Sequence, residues 1–178
     1  MPVPHLEIRI VQRSKGSSAV AGAAYQAGEK LFSEYDQKMK NYLCKKEVVY
    51  TEVMLPTNAP PGYADRATLW NAAEEVEKQW NSQLARRFVV ALPREVPLEM
   101  CPQMMQKYCR EHFVSKGMCC DFAIHDPDPP GHNPHCHILL YNGKRGKLKL
   151  KYFFYVFYPA HILVLYLIQI GLGKYLLK

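Results

Sequence analysis

The amino-acid sequence predicts an α/β sandwich in which a central, mostly antiparallel sheet carries helices packed on one face. Two observations favour this fold class. Segments with strand-like alternation and segments with helical periodicity follow one another in the order β-α-β-α-β-α-β-β. The last two predicted strands are joined by a loop rich in proline, glycine and aspartate, which suits an antiparallel pair. With 178 residues, the chain is long enough for one domain with a real hydrophobic core.

The first half of the chain contains two predicted strands and one helix. Residues 6–12 alternate well enough to form the first strand. After a short loop, Ser17 or Ser18 is placed to cap a helix over 19–31. Residues 47–55 look like a second strand, which a proline-rich loop ends.

The second half contains two helices and three strands. A helix over 65–85 is predicted by apolar residues that recur every three or four positions: Leu69, Ala73, Val76, Trp80 and Leu84. The continuous apolar run 88–92 reads as a strand buried on both faces. A third helix follows over 98–114, and the last two strands cover 118–126 and 134–141.

Three histidines are expected to share one face of this final pair of strands. Residues i and i+2 of a strand point to the same face, so His135 and His137 project side by side. If the two strands pair around the intervening loop, His125 falls opposite His135. The other face of the pair would then be apolar throughout, because it carries Phe122, Ile124, Cys136, Ile138 and Leu140.

Three converging imidazoles fit a divalent metal ion and leave positions open for substrate oxygens. Mn²⁺ is the first expectation, and Mg²⁺, Zn²⁺, Co²⁺ and Ni²⁺ are the alternatives. His132 lies in the loop and is expected to be solvated rather than to serve as a fourth ligand. A His-x-His pair can also be no more than an exposed polar strand face, so that interpretation stays open at this point.

These residues, with segments along most of the chain, resemble the MobA/MobL family of plasmid mobilisation relaxases in the HUH endonuclease superfamily. The His-x-His pair follows Asn-Pro and precedes an apolar run, as in the metal motif of that superfamily. Further similar segments are Ser17–Lys30, which contains Ala-Ala-Tyr-Gln-Ala-Gly-Glu-Lys, Thr51–Pro60, and Ala91–Glu95, which reads Ala-Leu-Pro-Arg-Glu. The resemblance covers about residues 5–142.

The resemblance implies a nicking-and-joining reaction on DNA. Tyr25 matches the relaxase tyrosine that attacks a phosphodiester at a plasmid transfer origin, becomes linked to the 5′ phosphate and releases a 3′ hydroxyl. His125, His135 and His137 match the ligands of the ion that binds the scissile phosphate. A phenol has a pKa of roughly 10, so it is a poor nucleophile near neutral pH without such a cation. Without its motif, Tyr25 would be interpreted as a packing aromatic.

The implied partners are single-stranded or locally melted DNA at a transfer origin and accessory proteins of the relaxosome. The net charge of +7 permits nucleic-acid binding but does not demand it. Taken singly, each basic side chain in this set is more typical of a solvated surface. The side chains that could meet DNA phosphates are Arg13, Lys15, Arg86, Arg87, Lys144, Arg145 and Lys147. A cytoplasmic location is expected, because no secretory signal is visible and no cysteines form a Cys-x-x-Cys pair.

The chain departs from the family pattern in two places. Many relatives carry acidic residues just before Ala-Leu-Pro-Arg-Glu, whereas residues 84–90 of this chain contain two arginines and no acid. The similarity also stops after Asn142. Residues 1–142 are therefore predicted to be a relaxase domain that is incomplete at its end, 143–151 a basic linker, and 152–178 an atypical apolar tail.

The apolar tail leaves other functions open. Residues 152–172 contain no charged side chain and are long enough to cross a bilayer. The alternatives are a replacement tail from a frameshift or truncated gene, and a core helix. The competing functions are therefore a truncated, catalytically inactive DNA-binding remnant and a membrane-tethered protein whose histidines hold a structural ion.

Overall fold

The computed structural model describes residues 6–126 and 134–142. In chain order, the elements are β1 (Leu6–Gln12), α1 (Ala19–Ala27), β2 (Lys30–Ser33), β3 (Lys38–Asn41), β4 (Val48–Met54), α2 (Arg66–Val76), β5 (Gln83–Ala91), α3 (Cys101–His112), β6 (Cys119–His125) and β7 (His135–Tyr141). Five strands form one sheet in the order β1-β5-β7-β6-β4, and every neighbouring pair is antiparallel. The predicted α/β class with an antiparallel sheet is confirmed.

The helices cover both faces of the sheet, so the prediction that they pack on one face is wrong. Alanines of α1 and Leu69 and Trp70 of α2 pack with Leu139 and Tyr141, which lie on the histidine face of β7. On the opposite face, α3 packs against the apolar side chains predicted for it, Phe122, Ile124, Cys136, Ile138 and Leu140. The histidine face needs this second cover because it is apolar beyond the histidines and would otherwise expose Leu139 to water.

Helix α1 is shorter than predicted and is followed by a hairpin that the sequence pattern did not reveal. Ser18 caps its first turn by accepting a hydrogen bond from the backbone N–H of Ala21. Gly28 ends it in the left-handed conformation, with φ of 65°, which favours glycine. Strands β2 and β3, four residues each, then form a separate two-stranded ribbon. Strands of four residues show too little alternation of apolar and polar side chains to be recognised from the sequence.

Helix α2 also ends earlier than the periodicity suggested. It stops at Val76, and Trp80, assigned to its apolar face, is exposed over 66% of its surface. Leu84 is buried, but it belongs to β5, which continues the same core from a different element. The residues with helical apolar spacing therefore belong to a helix, a turn and a strand.

The strand predicted to be buried on both faces lies within β5. Its residues 88–90 are only half-buried.

The predicted linker 143–151, the tail 152–178 and the bilayer-spanning interpretation of 152–172 lie outside the described residues. Within residues 6–126 and 134–142, no helix is long and apolar enough to cross a membrane.

Candidate metal centre and nucleophile

The three predicted histidines come together on one face at the ends of β6 and β7. His125 pairs directly with His135, and Ala123 pairs with His137, so the predicted hairpin register is confirmed. The ring centroids are 4.6–5.3 Å apart. One nitrogen from each ring lies within 4.8 Å of the other two. In the part of the chain that the structure describes, this is the one group of three side chains arranged to hold a metal ion.

His125 is the deepest of the three and retains an unused lone pair. It is fully buried, and its Nε2–H donates to the backbone carbonyl of Gln26 at 2.6 Å. The lone pair of the neutral ring is therefore on Nδ1, which has no hydrogen-bond partner. The Glu47 carboxylate oxygen is 3.7 Å from Nδ1, beyond hydrogen-bonding distance. A buried acceptor without a donor is costly, and a cation between the rings would satisfy it.

His135 and His137 face each other across the same space. Their Nε2 atoms are 3.1 Å apart, and the Nδ1 atom of His137 lies 3.1 Å from Nη2 of Arg87. Burial lowers the pKa of His137 to about 2 and that of His125 to about 4. The neighbouring His125 and Arg87 contribute to this lowering of the His137 pKa, after burial. Both rings are therefore neutral near pH 7, which is the state that metal ligation requires.

The donor set fits a divalent transition metal. Three imidazoles with no carboxylate among them suit borderline ions such as Zn²⁺, Co²⁺ or Ni²⁺ better than Mg²⁺, which prefers oxygen ligands. His125, His135 and His137 would hold the ion, and His135 is the least buried of the three.

Tyr25 lies beside this group, as the resemblance implied. Its ring centroid is 6.2 Å from that of His137, with the rings nearly perpendicular, and 37% of its surface is exposed. Buried alanines along one face of α1 allow the helix to approach the sheet closely. The next residue, Gln26, connects the two parts directly, because its carbonyl accepts from His125 and its side-chain amide donates to the Asp121 carbonyl. The tyrosine and the histidines are therefore held by one framework.

Two residues near Tyr25 were not identified from the sequence. The ammonium of Lys45 lies 3.6 Å from the centroid of the Tyr25 ring and pairs with Glu47 at 2.7 Å. This hydrogen bond from Lys45 is the main reason that the pKa of Glu47 is lowered. Tyr42 stacks edge-on against Tyr25 at 5.5 Å. Both come from the irregular segment between β3 and β4, where no periodicity indicates which side chains turn inward.

The basic residues predicted to contact DNA fall into different environments. Arg87 lies on the histidine face, and its guanidinium carbon is 5.5 Å from the Tyr25 ring centroid. Arg86 is exposed on the opposite face, and Lys15 is exposed beyond β1. Lys144, Arg145 and Lys147 lie outside the described residues.

The prediction for Arg13 is corrected by its burial. Only 6% of its surface is exposed, and its guanidinium donates to the backbone carbonyls of Glu74 and Glu77 at the end of α2. These carbonyls have no partners within the helix, so Arg13 completes the helix end instead of facing a phosphate.

A second polar cluster lies further along the same face of β6. Asp121 is fully buried and accepts two hydrogen bonds from Arg66, at 2.9 and 3.0 Å, and one from Trp70 at 2.8 Å. Arg66 also donates to Glu29 and Thr51. This network joins α2 to β6 and to the chain just after α1, and so it supports the helix that carries Tyr25.

Comparison with known proteins agrees with this geometry. The chain is 37% identical over 142 residues to the "Probable mobilization protein MobA" of Bifidobacterium longum, which covers 80% of this chain and 25% of that protein. It is 35% identical to the conjugal transfer protein TraA of Agrobacterium fabrum, over 78% of this chain and 13% of that protein. The mobilization protein MobL of Acidithiobacillus ferridurans is 33% identical, over 71% and 33% respectively. The chain thus spans a third or less of these relatives.

A solved structure and a family model complete the comparison. The structure comes from work on the molecular basis of vancomycin resistance transfer in Staphylococcus aureus. It superposes with a TM-score of 0.71 and 29% identity, covering 78% of this chain and 70% of that one. The model of the MobA/MobL family matches residues 17–147, a stretch that contains Tyr25 and all three clustered histidines. The chain belongs to the MobA/MobL family.

Proposed function

We propose that this protein nicks and rejoins one DNA strand at a plasmid transfer origin, through a covalent link between Tyr25 and a 5′ phosphate, for conjugative mobilisation. The observation that carries the proposal is the position of the Tyr25 ring, 6.2 Å from His137 in a group of three histidines suited to a metal ion. Family membership supports the same function, since related proteins are named for mobilisation and conjugal transfer.

The reaction exchanges one phosphate ester for another. The Tyr25 oxygen forms a bond to phosphorus, the bond from phosphorus to the 3′ oxygen breaks, and the 3′ hydroxyl leaves with a proton. The phenolic proton passes to solvent. Because the ester bond is conserved in the tyrosine link, the strand is rejoined by the reverse attack with no other energy source.

Each nearby side chain has a task that its position supports. His125, His135 and His137 would hold a divalent ion, which would supply positive charge at the scissile phosphate. The Lys45 ammonium beside the Tyr25 ring adds positive charge that attracts phosphate to the nucleophile. Mn²⁺ as the preferred ion and accessory relaxosome proteins as partners are proposed from the family resemblance.

The test is formation of a protein–DNA adduct. A single-stranded oligonucleotide that carries the origin of the parent plasmid is incubated with the protein and Mn²⁺ and analysed on denaturing gels. We expect an adduct that survives SDS, that Tyr25→Phe abolishes and that Tyr42→Phe retains. Tyr42 is the matched control, because it is the neighbouring ring in the same cluster.

The same assay separates the proposal from its main rival. A shifted band on native gels, without any adduct on denaturing gels, would show a DNA-binding module that does not nick. An adduct that persists in Tyr25→Phe would place the nucleophile at another residue.

A further inference from the structure

Arg87 contacts the outer nitrogen of His137, and this contact fixes where the proton of that ring lies. A guanidinium has hydrogen-bond donors and no acceptor, so the Nδ1 atom of His137, 3.1 Å from Arg87, must accept. A neutral imidazole with its lone pair on Nδ1 carries its proton on Nε2. That N–H points into the histidine group, where the Nε2 atom of His135 lies 3.1 Å away and accepts it.

This tautomer cannot bind a metal ion from inside the group. A neutral imidazole binds through the nitrogen that has no proton, and the other nitrogen then carries an N–H that needs an acceptor. Ligation through Nε2 of His137 would place that N–H on Nδ1, directly opposite the N–H of Arg87. Two donors would then face each other, so the present Arg87 position and a metal ion on His137 exclude one another.

We propose that Arg87 holds His137 in the tautomer that does not bind metal, and that metal loading releases the guanidinium from His137. Arg87 is thus a positioning residue that acts on the metal through His137. The proton leaves Nε2 and another is taken up on Nδ1, so the net charge of the ring does not change. The nearby ligand His125 needs no such change, because its lone pair already lies on Nδ1 within the group.

A cleft next to Arg87 can accommodate the released guanidinium. A cleft of about 240 Å³ is lined by Glu7, Arg9, Arg87, Val89 and His137. The guanidinium carbon already lies 5.5 Å from the centroid of the Tyr25 ring. A short movement away from His137 into this cleft therefore keeps the guanidinium within reach of a phosphate bound at the site. This last step rests on the proposed function, whereas the tautomer and its effect on metal affinity do not.

The experiment measures metal affinity in the absence of DNA. Mn²⁺ and Zn²⁺ are titrated calorimetrically into the full chain and into Arg87→Met, Arg87→Glu, Arg86→Met and Arg86→Glu. Arg86 is the matched control, since the same charge is removed or reversed one residue away on the opposite face of the sheet. We expect Arg87→Met to bind roughly tenfold more tightly than the parent chain, and Arg87→Glu roughly 10–100-fold, because its carboxylate accepts the Nδ1–H. Both Arg86 variants should stay within about twofold of the parent chain.

Two outcomes would overturn the proposal. Arg87→Glu binding no more tightly than Arg86→Glu would show that charge alone matters, and weaker binding by Arg87→Met would show that Arg87 supports the ligand. A second measurement does not depend on the variants folding. Imidazole ¹⁵N chemical shifts of the metal-free parent chain should show the proton of His137 on Nε2, and a proton on Nδ1 would contradict the inference. Because no DNA is present, failure to form the adduct leaves these results unaffected.

Discussion

Two buried polar clusters lie on the same face of β6, and they are completed in different ways. Asp121 and His125, four residues apart, are both fully buried. Asp121 is saturated by three hydrogen bonds from Arg66 and Trp70, and its charge is matched by the guanidinium. His125 keeps an unpartnered Nδ1, and the other two histidines turn nitrogens toward the same space. One cluster is closed by protein atoms, and the other is open to a ligand.

The difference indicates which polar group is structural and which is functional. A buried ion pair that satisfies itself fixes the packing of two elements and needs nothing further. A buried acceptor without a donor, such as Nδ1 of His125, is kept at a cost to stability that an incoming ion can offset. Tyr25 lies beside the open cluster, and the closed one holds in place the helix that carries it.

The largest expected difference between the clusters is in stability without metal. Asp121→Asn should lower the free energy of unfolding by about 3 kcal/mol, because it removes the fully buried counter-charge of Arg66 and leaves only the partly exposed Glu29 carboxylate. His135→Asn should cost about 1 kcal/mol or less, since His135 is only half-buried. Urea unfolding followed by circular dichroism gives both values. Equal losses would remove the distinction between a structural and a ligand-binding cluster.

Metal should stabilise the protein through the open cluster alone. At an ion concentration 100 times the dissociation constant, the free energy of unfolding should rise by about 2.7 kcal/mol. His137→Ala should abolish this gain, and His112→Ala, an exposed histidine on α3, should retain it. Thermal unfolding with and without Zn²⁺ measures the effect. Stabilisation that survives in His137→Ala would mean that the ion binds elsewhere.

Acid should weaken the metal-free protein through the same histidines. Their folded-state pKa values, about 4 for His125 and about 2 for His137, lie below the unfolded value of about 6.5. The unfolded chain therefore binds more protons as the pH falls below about 7, and stability is lost from there toward pH 4. The loss should reach on the order of 2 kcal/mol per histidine by about pH 5.

One substitution distinguishes the contribution of the histidines to acid destabilisation from the contribution of the carboxylates. His137→Phe should show a shallower decrease of unfolding free energy between about pH 7 and pH 5, measured by urea titration at each pH. An unchanged slope would mean that His137 titrates normally in the folded protein.

The smallest expected effect tests whether the open cluster includes the residues around Tyr25. Lys45→Met should slow adduct formation about fivefold, which corresponds to about 1 kcal/mol of lost cation stabilisation at the tyrosine. Lys46→Met, an exposed neighbour, is the control and should react at the parent rate. Equal rates for both variants, measured in single-turnover reactions, would exclude a role for Lys45.

The sequence predicted the histidine group better than its surroundings, for a physical reason. Strand geometry alone brings His125, His135 and His137 together, because pairing two adjacent strands leaves few registers that sort polar and apolar residues. The position of Tyr25 came from a motif, since periodicity cannot show which helix docks on which face. Lys45 reaches the site from an irregular segment, and Arg87 through a strand pairing distant in sequence. Neither contact has a local signal.

The absence of a local sequence signal for long-range contacts also explains the predictions that were wrong. Arg13 looked like a surface cation because charge patterning does not show that a helix end needs a donor. The helices were expected on one face because the other face shows three polar residues at its end. Further along β7 that face turns apolar, and α1 and α2 cover it.

The most direct test of the account is to locate the ion itself. Crystals of the full chain soaked in Mn²⁺ should give one anomalous scattering peak, bounded by Nδ1 of His125 and by nitrogens of His135 and His137, on the side of the group that faces Tyr25. A peak at any other place, or none at an Mn²⁺ concentration well above the dissociation constant measured in solution, would contradict the claim that the open cluster is a metal centre.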